Sequence, residues 1–534
     1  MHLVTADEMR EMDRLTIESF GLPGRVLMEN AGRGAARVLM DTYPDIRDQS
    51  VAVVAGRGNN GGDGFVIARY LAGAGINVTV YLLSESLRLT GDAAANFSLL
   101  SPLNIPVREI IDESDLAQAK ADMARHHVFV DAILGTGINA EVRGLFKSAI
   151  HYINERHRPV LSVDIPSGLN ADTGAPCGTC IRADHTVTFA FPKIGHVLLP
   201  GALYTGELHV VDIGIPPHIV ENVPPRHHLL TKDDLRTLIL PRPWDTHKGR
   251  TGHALVVAGS PGKTGAAALT SMAALRSGAG LVTLGIPERL NPILEILGPE
   301  VMTAQLMETA TGAHTHLSFE TIMTLLTGKR CLALGPGMGT EPDTVRLVHQ
   351  LVTQCPVPMV LDADGLNAVA ENPEILHHRK SEIILTPHPG EMARLADTTT
   401  KEVQENRIQT ARSFAQKYQV HLVLKGARTL IAHPDGHIHV NPTGNPGMAA
   451  GGMGDVLTGI ISGFLAQGYG PEASAQLGVF VHGLAADRVA AEKGSIGYIA
   501  TDVMNALPPA LAELAGEKAW EGSPAVPLPR MDPL

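Results

Sequence analysis

The sequence predicts an α/β protein made of two successive layered domains, the first a doubly wound parallel sheet, and three observations carry that reading. The chain runs to 534 residues, beyond the ~250–300 at which single cores stop growing. Short continuous apolar runs recur, each closed by Gly, Ser or Asp and followed by helical periodicity, as buried parallel strands joined by crossover helices require. Pro216, Pro217, Pro224, Pro225, Pro241 and Pro243 punctuate residues 214–243, the composition of an interdomain linker.

Composition narrows the class. Hydrophobic residues make up 44% of the chain, with 55 Gly and 36 Pro, which fits a glycine-rich α/β enzyme and not a disordered or fibrous chain. A net charge of −12 argues against general nucleic-acid binding, which needs a cationic surface, and 4% aromatics leave little for base stacking. The first residues lack a basic-then-apolar signal pattern, and no run approaches the ~18 apolar residues of a membrane span, so no membrane partner and a cytoplasmic location are expected. Four cysteines cannot staple so long a chain. Cys177 and Cys180 form a lone CxxC with no second ligand pair at zinc spacing; Cys331 and Cys355 read as small buried apolar residues.

Taken in order, Thr5 and Glu8 make a capping box, and Met9, Met12 and Leu15 repeat at helical spacing, giving an amphipathic first helix. A second helix is expected near residues 27–40. Residues 51–55 are an apolar strand, 56–64 (GRGNNGGDG) a glycine-rich turn, and a helix is expected from about 65 to 74. Strand, glycine turn and helix make the ligand-binding corner of a doubly wound sheet. Backbone N–H groups there suit a pyrophosphate, whereas the amide oxygens of Asn59 and Asn60 suit a cation or ribose hydroxyls. Strands at 77–83, 128–134 and 159–165 follow, and the last two carry Asp131 and Asp164 with Gly or Ser turns behind them. One aspartate at a strand end is usually a helix cap; three such ends on one sheet edge, with Asp63 in the turn after the 51–55 strand as the third, argue for a shared site.

Beyond the linker, residues 253–258 form a strand. Gly262-Lys263-Thr264 imitates the tail of a phosphate loop, but Val257 stands where its first glycine belongs. A helix at 266–277 and strands at 281–286, 331–334, 358–362 and 383–386 continue the α/β alternation. His388 sits at a strand end between two prolines that fix its backbone. Lys425, at the tip of the next strand, precedes a glycine that would let a phosphate approach, and 429–432 with 436–440 make a hairpin. Residues 445–455 are then a glycine-rich loop opening an apolar helix at 456–465. The unpaired N–H groups of such a helix start, with its dipole, form a seat for phosphate. Asp455 would repel a phosphate there unless it took a proton from a hydroxyl about to be phosphorylated; the alternative is a turn whose glycines only permit close packing. Residues 516–534 carry four prolines and no periodicity, as a disordered tail would.

The motifs together resemble a known family. GRGNNGGDG, VDAILGTG, SVDIPSG and FAFPKIGH, spread over nearly all of residues 1–215, are similar to the epimerase domain of the NAD(P)H-hydrate repair family, which is Rossmann-like. GPGMG, LDADGLN, TPHPGE, VLKGA and NPGMAAGGMGD, in that order over residues 231–515, look like the family's ADP-dependent dehydratase domain, which is ribokinase-like. The resemblance implies an epimerase domain at 1–220, a linker at 221–230 and a dehydratase domain at 231–515. In the first domain it implies hydrate binding by Asn59, Asn60, Gly61, Gly62 and Asp63, continued by Gly135, Thr136, Gly137, Ile138, Asn139, Ala140 and Glu141. It also implies a potassium (K+) site at Asn60, Asp131 and Ser167, with Asp164 as catalytic acid/base. In the second domain it implies hydrate contacts at Ala266, Gly337, His388 and Asp455, and nucleotide contacts at Lys425, Gly426, Ala427, Arg428, Thr429 and Gly454. Asp455 would be the catalytic base and Mg2+ the phosphate bridge. Met453 departs from the family, which commonly has Thr there.

The implied activity is repair of hydrated NADH and NADPH (NADHX and NADPHX): interconversion of the R and S hydrates, then ADP-dependent dehydration of the S epimer to NAD(P)H, AMP and phosphate. A homo-oligomer is expected. The rival is a ribokinase-like small-molecule kinase fused to a non-catalytic Rossmann-like binding module. A scaffold would have no need of Asn60, Asp131, Asp164 and Ser167 together, which speaks against it.

Overall fold

The computed structural model describes residues 1–516, so the tail expected at 516–534 lies, Gly516 apart, outside the described residues. Two compact units divide the chain, one of residues 2–227 and one from His228 onward. Among the described residues no helix is long and apolar enough to cross a membrane. The four cysteines are free, and Cys180, Cys331 and Cys355 are buried.

In the first unit α1 (Ala6–Leu15) starts on the Thr5–Glu8 capping box and α2 (Gly24–Thr42) follows. Seven parallel strands form the sheet: β1 (Ser50–Ala55), β2 (Asn77–Leu82), β3 (Val107–Glu109), β4 (Val128–Ala132), β5 (Val160–Val163), β6 (His185–Phe189) and β7 (Glu207–Val211). Their order is 3-2-1-4-5-6-7, which reverses between β1 and β4, and ligands bind at such a reversal. β1 and β4 are buried along almost their whole length, which is why they read as unbroken apolar runs.

The helix after β1 differs from expectation. α3 spans Asn59–Gly73, so the glycine-rich stretch is the helix's first turns and not a turn ahead of it. Its glycines are there because the backbone passes too close to the strands for side chains. A Cβ on Gly61 would lie 1.9 Å from the Gly56 carbonyl oxygen, and one on Gly64 would lie 2.7 Å from the Ala132 Cβ.

In the second unit β8 (His253–Val257), β9 (Leu281–Pro287), β10 (Met302–Leu306), β11 (Cys331–Leu334), β12 (Met359–Leu361), β13 (Ile383–Leu385) and β14 (His421–Leu424) are parallel. The hairpin β15 (Leu430–Ala432) and β16 (Ile438–Val440) joins antiparallel, and the order is 10-9-8-11-12-13-14-15-16. Helices α4 (Thr264–Arg276), α5 (Asp364–Ala370), α6 (Pro389–Leu395), α7 (Arg407–Tyr418), α8 (Met453–Gln467) and α9 (Pro471–Lys493) position the site. α8 is buried at every residue from Val456 to Ala466. It meets α4 backbone to backbone: a Cβ on Gly459 would lie 2.3 Å from the Thr270 carbonyl oxygen.

Four strands, β3, β6, β7 and β10, have no counterpart in the strand pattern read from sequence. β3, β7 and β10 lie at or near sheet edges and are half polar. β6 is buried but built on Thr186 and Thr188, whose hydroxyls donate to the Thr205 carbonyl and to Asp164, so its hydropathy is diluted by satisfied polar groups.

Candidate active sites

In the first unit a cavity of about 620 Å³ opens at the C-terminal ends of β1, β4 and β5. Asn59, Asn60, Asp63, Gly135, Thr136, Gly137 and Asp164 line it, and sequence reasoning missed Met9, Asp13 and Lys193 beside them. Gly61 and Gly62 are buried under the turn, Ile138 stands outside the lining, and Asn139, Ala140 and Glu141 are exposed, with Glu141 paired to Arg143.

Asp164 follows β5 with φ +64, a left-handed conformation that Asp tolerates better than most residues. Lys193 Nζ donates to its Oδ1 at 2.5 Å, to Thr188 Oγ1 at 2.9 Å and to the Phe189 carbonyl at 3.4 Å, and the lysine side chain is 1% exposed. Burial pushes the Asp13 carboxyl up to about 6 against the pull of Lys193. Burial, with Asp164 and Asp13 adding, pushes Asp63 well above the usual carboxylate range. One ammonium faces three carboxyls, and two of them, Asp13 and Asp63, keep their protons to higher pH than ordinary carboxyls do; groups shifted in this way gather at acid/base centres.

Behind it lies an oxygen-rich nest. Asp131 is fully buried; its Oδ1 accepts from Ser167 Oγ at 2.5 Å, and its Oδ2 from Ser162 Oγ at 2.8 Å and the Ser167 N–H at 2.9 Å. Asn60 Nδ2 donates to the Leu134 carbonyl at 3.0 Å, and Ser167 Oγ lies 3.1 Å from the same oxygen. Asn60 Oδ1 is buried with no hydrogen-bond partner among the described residues. An orphaned amide oxygen among hard oxygen donors fits a hard cation.

In the second unit β12, β13 and β14 deliver Asp362, His388 and Lys425 to one edge. Asp362 Oδ1 accepts from Lys425 Nζ at 2.7 Å, and its Oδ2 from Thr458 Oγ1 on α8 at 2.8 Å. Burial works against the Lys425 ammonium, but Asp362, Glu391 and Asp455 together raise its pKa. A Cβ on Gly454 would lie 3.3 Å from Lys425 Nζ, so the start of α8 presents bare backbone beside that cation. Burial and Asp362 push Asp455 up to about 6, with Lys425 opposing and Asp364 adding.

His388 caps α6: its Nδ1 accepts from the N–H groups of Gly390 at 3.0 Å and Glu391 at 3.3 Å, while the ring stays 52% exposed. Glu391 lies 3.8 Å from Lys425 Nζ and accepts from the His388 N–H, which ties His388 to the same network. Gly337, at φ +65, comes so close to Ala266 that a Cβ there would sit 3.1 Å from the alanine's own. Gly426 and Thr429 form a turn, with Thr429 Oγ1 donating to the Gly426 carbonyl at 2.8 Å, and Ala427 is exposed. Arg428 turns its guanidinium to the Pro442 carbonyl. Arg407 on α7 donates to the Leu424 and Lys425 carbonyls and supports that turn.

Asp362, Glu391, Thr458 and Arg407 carry the second network without having been singled out from sequence. Thr458 had a signal, a hydroxyl inside an otherwise apolar helix. Arg407 had none, because nothing in a surface-helix pattern marks one arginine as half-buried against a strand end.

A doubly wound sheet with a cluster of carboxyls around a buried lysine, and a parallel sheet with a helix start beside a partly buried lysine, define a two-part α/β enzyme. A family model described as YjeF-related protein N-terminus matches residues 24–195, and one described as NAD(P)H-hydrate dehydratase matches residues 254–509. The bifunctional NAD(P)H-hydrate repair enzyme Nnr of Moorella thermoacetica is 43% identical over 518 residues, covering 97% of this chain and 98% of its own. The protein of the same name from Escherichia coli is 36% identical over 511 residues, covering 94% and 92%. A solved ADP/ATP-dependent NAD(P)H-hydrate dehydratase from Bacillus subtilis, co-crystallised with ATP/Mg2+, is 31% identical and covers 54% of this chain and 98% of its own, with a TM-score of 0.46. The chain belongs to the family of bifunctional NAD(P)H-hydrate repair enzymes.

Proposed function

We propose that the chain repairs hydrated NADH and NADPH, residues 1–220 interconverting the R and S hydrates and residues 231–515 dehydrating the S epimer at the expense of ADP. The observation that carries this reading is the pair of acid centres, Asp164 held by Lys193 and Asp455 at the start of α8 with its carboxyl pushed up to about 6.

For epimerisation Asp164 gives a proton to the C6 hydroxyl, which leaves as water with the C–O electrons while the ring nitrogen's lone pair forms an iminium, and takes a proton back when water adds to either face. Lys193 fixes the Asp164 carboxyl in place through its 2.5 Å hydrogen bond. Asn60, Asp131 and Ser167 would hold K+, which supplies fixed positive charge beneath the loop that seats the hydrate.

For dehydration Asp455 takes the proton of the C6 hydroxyl as its oxygen attacks the β-phosphorus of ADP, and AMP leaves. The lone pair of the ring nitrogen then expels phosphate with the C6–O electrons, and loss of the neighbouring ring proton restores the dihydronicotinamide. Backbone N–H groups at 451–454 and the Lys425 ammonium offset the charge that builds on phosphorus. Asp364, whose Oδ2 accepts from Lys263 Nζ at 2.9 Å and the Gly339 N–H at 2.8 Å, is one of the carboxylates at this edge that would help hold Mg2+, which would neutralise phosphate charge. Hydrate contacts fall to Ala266, Gly337 and His388, and nucleotide contacts to the 425–429 turn. A kinase releasing a phosphorylated product has no observation in its favour.

The test is incubation with mixed hydrates and ADP. Dihydronicotinamide absorbance, AMP and free phosphate should rise in equal amounts, and a stable phosphorylated product would refute the proposal.

A further inference from the structure

Five histidines and a glutamate gather in the second unit, at the end of the sheet away from Asp362 and Lys425; His228 stacks on His437 and His439, and His421, His433 and His439 face Glu472. His421 opens β14 and Lys425 follows its other end, which puts the two roughly 13 Å apart along the strand. Val423 pairs with Ile431, which pairs with His439. His421 and His433 lie two residues from those positions, so strand period places all three rings on one face. The first turns of α9 bring Glu472 and Gln476 against them.

The donor atoms stand at ligand spacing. His433 Nε2 is 3.0 Å from His439 Nδ1 and 3.9 Å from Glu472 Oε1, and one ligand atom from each of the three residues lies within 4.8 Å of the others. Ligands ~2.0–2.2 Å from one ion sit about 3–4 Å apart. His433 is 2% exposed and fixed, whereas Glu472 is 58% exposed and can swing to close the set. Each has an outer partner of the kind that orients metal ligands. His433 Nδ1 is 2.8 Å from His421 Nδ1, and Gln476 Nε2 donates to Glu472 Oε1 at 3.0 Å. Burial, with the neighbouring histidines adding, pushes His433 down to about 2 and His439 to about 3.

We propose that His433, His439 and Glu472 bind one divalent transition-metal ion of the zinc class, with water completing its shell. The ion would cross-link the β15–β16 hairpin to α9, a structural role apart from the Asp455 edge.

The full-length protein, stripped with chelator and dialysed against Zn2+, tests this by metal counting, with Co2+ as the absorbing probe. Glu472→Gln and His439→Gln should each hold one equivalent less than the unsubstituted chain. His421→Gln, which removes only the outer partner, should weaken Co2+ binding ~10–100-fold. Dehydration by Glu472→Gln should be unchanged, which also shows the variant folded. His185, Glu207 and His209 form a second, more exposed group of ligating side chains, so the reading is the difference between proteins and not the total. Equal metal content in the unsubstituted, Glu472→Gln and His439→Gln proteins, at zero or any other level, overturns the proposal.

Discussion

Lys193 holds its ammonium 2.5 Å from Asp164 in a place where the lysine is 1% exposed, and Asp13 and Asp63 share the same cation. Removing a buried charge's partner costs ~3–5 kcal/mol. Lys193→Met should therefore lower the melting temperature of the first unit and abolish epimerisation. The loss should be larger at pH 8 than at pH 5, because Asp13, pushed up to about 6, takes up a proton at the lower pH and relieves the uncompensated charge. Equal destabilisation at both pH values would count against the shared cluster.

Asp455→Asn should cut dehydration ~10²–10⁴-fold, the size of a lost general base, while leaving ADP binding measurable by calorimetry. It should also stabilise the fold. The carboxyl is raised in the folded state to about 6 from 3.8, so between those values the folded form binds more protons, and its stability falls as pH rises. The penalty is absent below about pH 3.8 and complete above about pH 6. A gain in melting temperature at pH 8 that vanishes at pH 4 is the expected pattern in thermal unfolding.

Gly454→Ala would place a methyl 3.3 Å from Lys425 Nζ, where the phosphate of ADP is expected. The lysine tip can yield, so the protein should fold with an unchanged melting point, but KM for ADP should rise about tenfold, near 1.4 kcal/mol. An unchanged KM would move the phosphate seat elsewhere.

Asp164→Asn keeps the φ of +64, which Asn also tolerates, and removes the acid. With ADP and racemic hydrate this chain should show a fast phase for the S epimer and then a tail limited by spontaneous epimerisation. Wild-type enzyme at the same concentration should run to completion in one phase. Consumption of both epimers at the wild-type rate would remove Asp164 from the chemistry.

Exchanging K+ for Li+ should slow epimerisation and leave dehydration untouched, and Asn60→Ala, which deletes the orphaned oxygen, should make the rate insensitive to the exchange. Cation dependence surviving in Asn60→Ala would place the ion elsewhere.

What the sequence made legible is what backbone rules govern. The buried strands β1, β4, β11 and β13 stand out as apolar runs, and the acids and glycines at their ends follow as motifs. Glycines normally mark turns, so the sequence pattern puts the start of α3 six residues late; only the close packing of Gly61, where a Cβ would lie 1.9 Å from the Gly56 carbonyl oxygen, shows why a helix needs them. Lys193 lay inside a quoted motif without a role, since nothing local says that a lysine 29 residues from Asp164 in sequence closes onto it. Asp362 and Thr458 meet across 96 positions, a relationship that only the packed sheet and helix create. Side chains that serve another side chain from a distant element are invisible to period and spacing.

Helix α8, buried without a break from Val456 to Ala466 and pressed onto α4 through Gly459, ties the catalytic edge to the least yielding part of the second unit. Opening it locally would expose Val456, Leu457, Ile460, Ile461, Phe464 and Leu465, all members of the second unit's main core. Its amides from the second turn onward should therefore exchange with deuterium only through complete unfolding. Heat should then switch dehydration off at the midpoint of structural melting, with no range of temperature in which the second unit is folded but inactive.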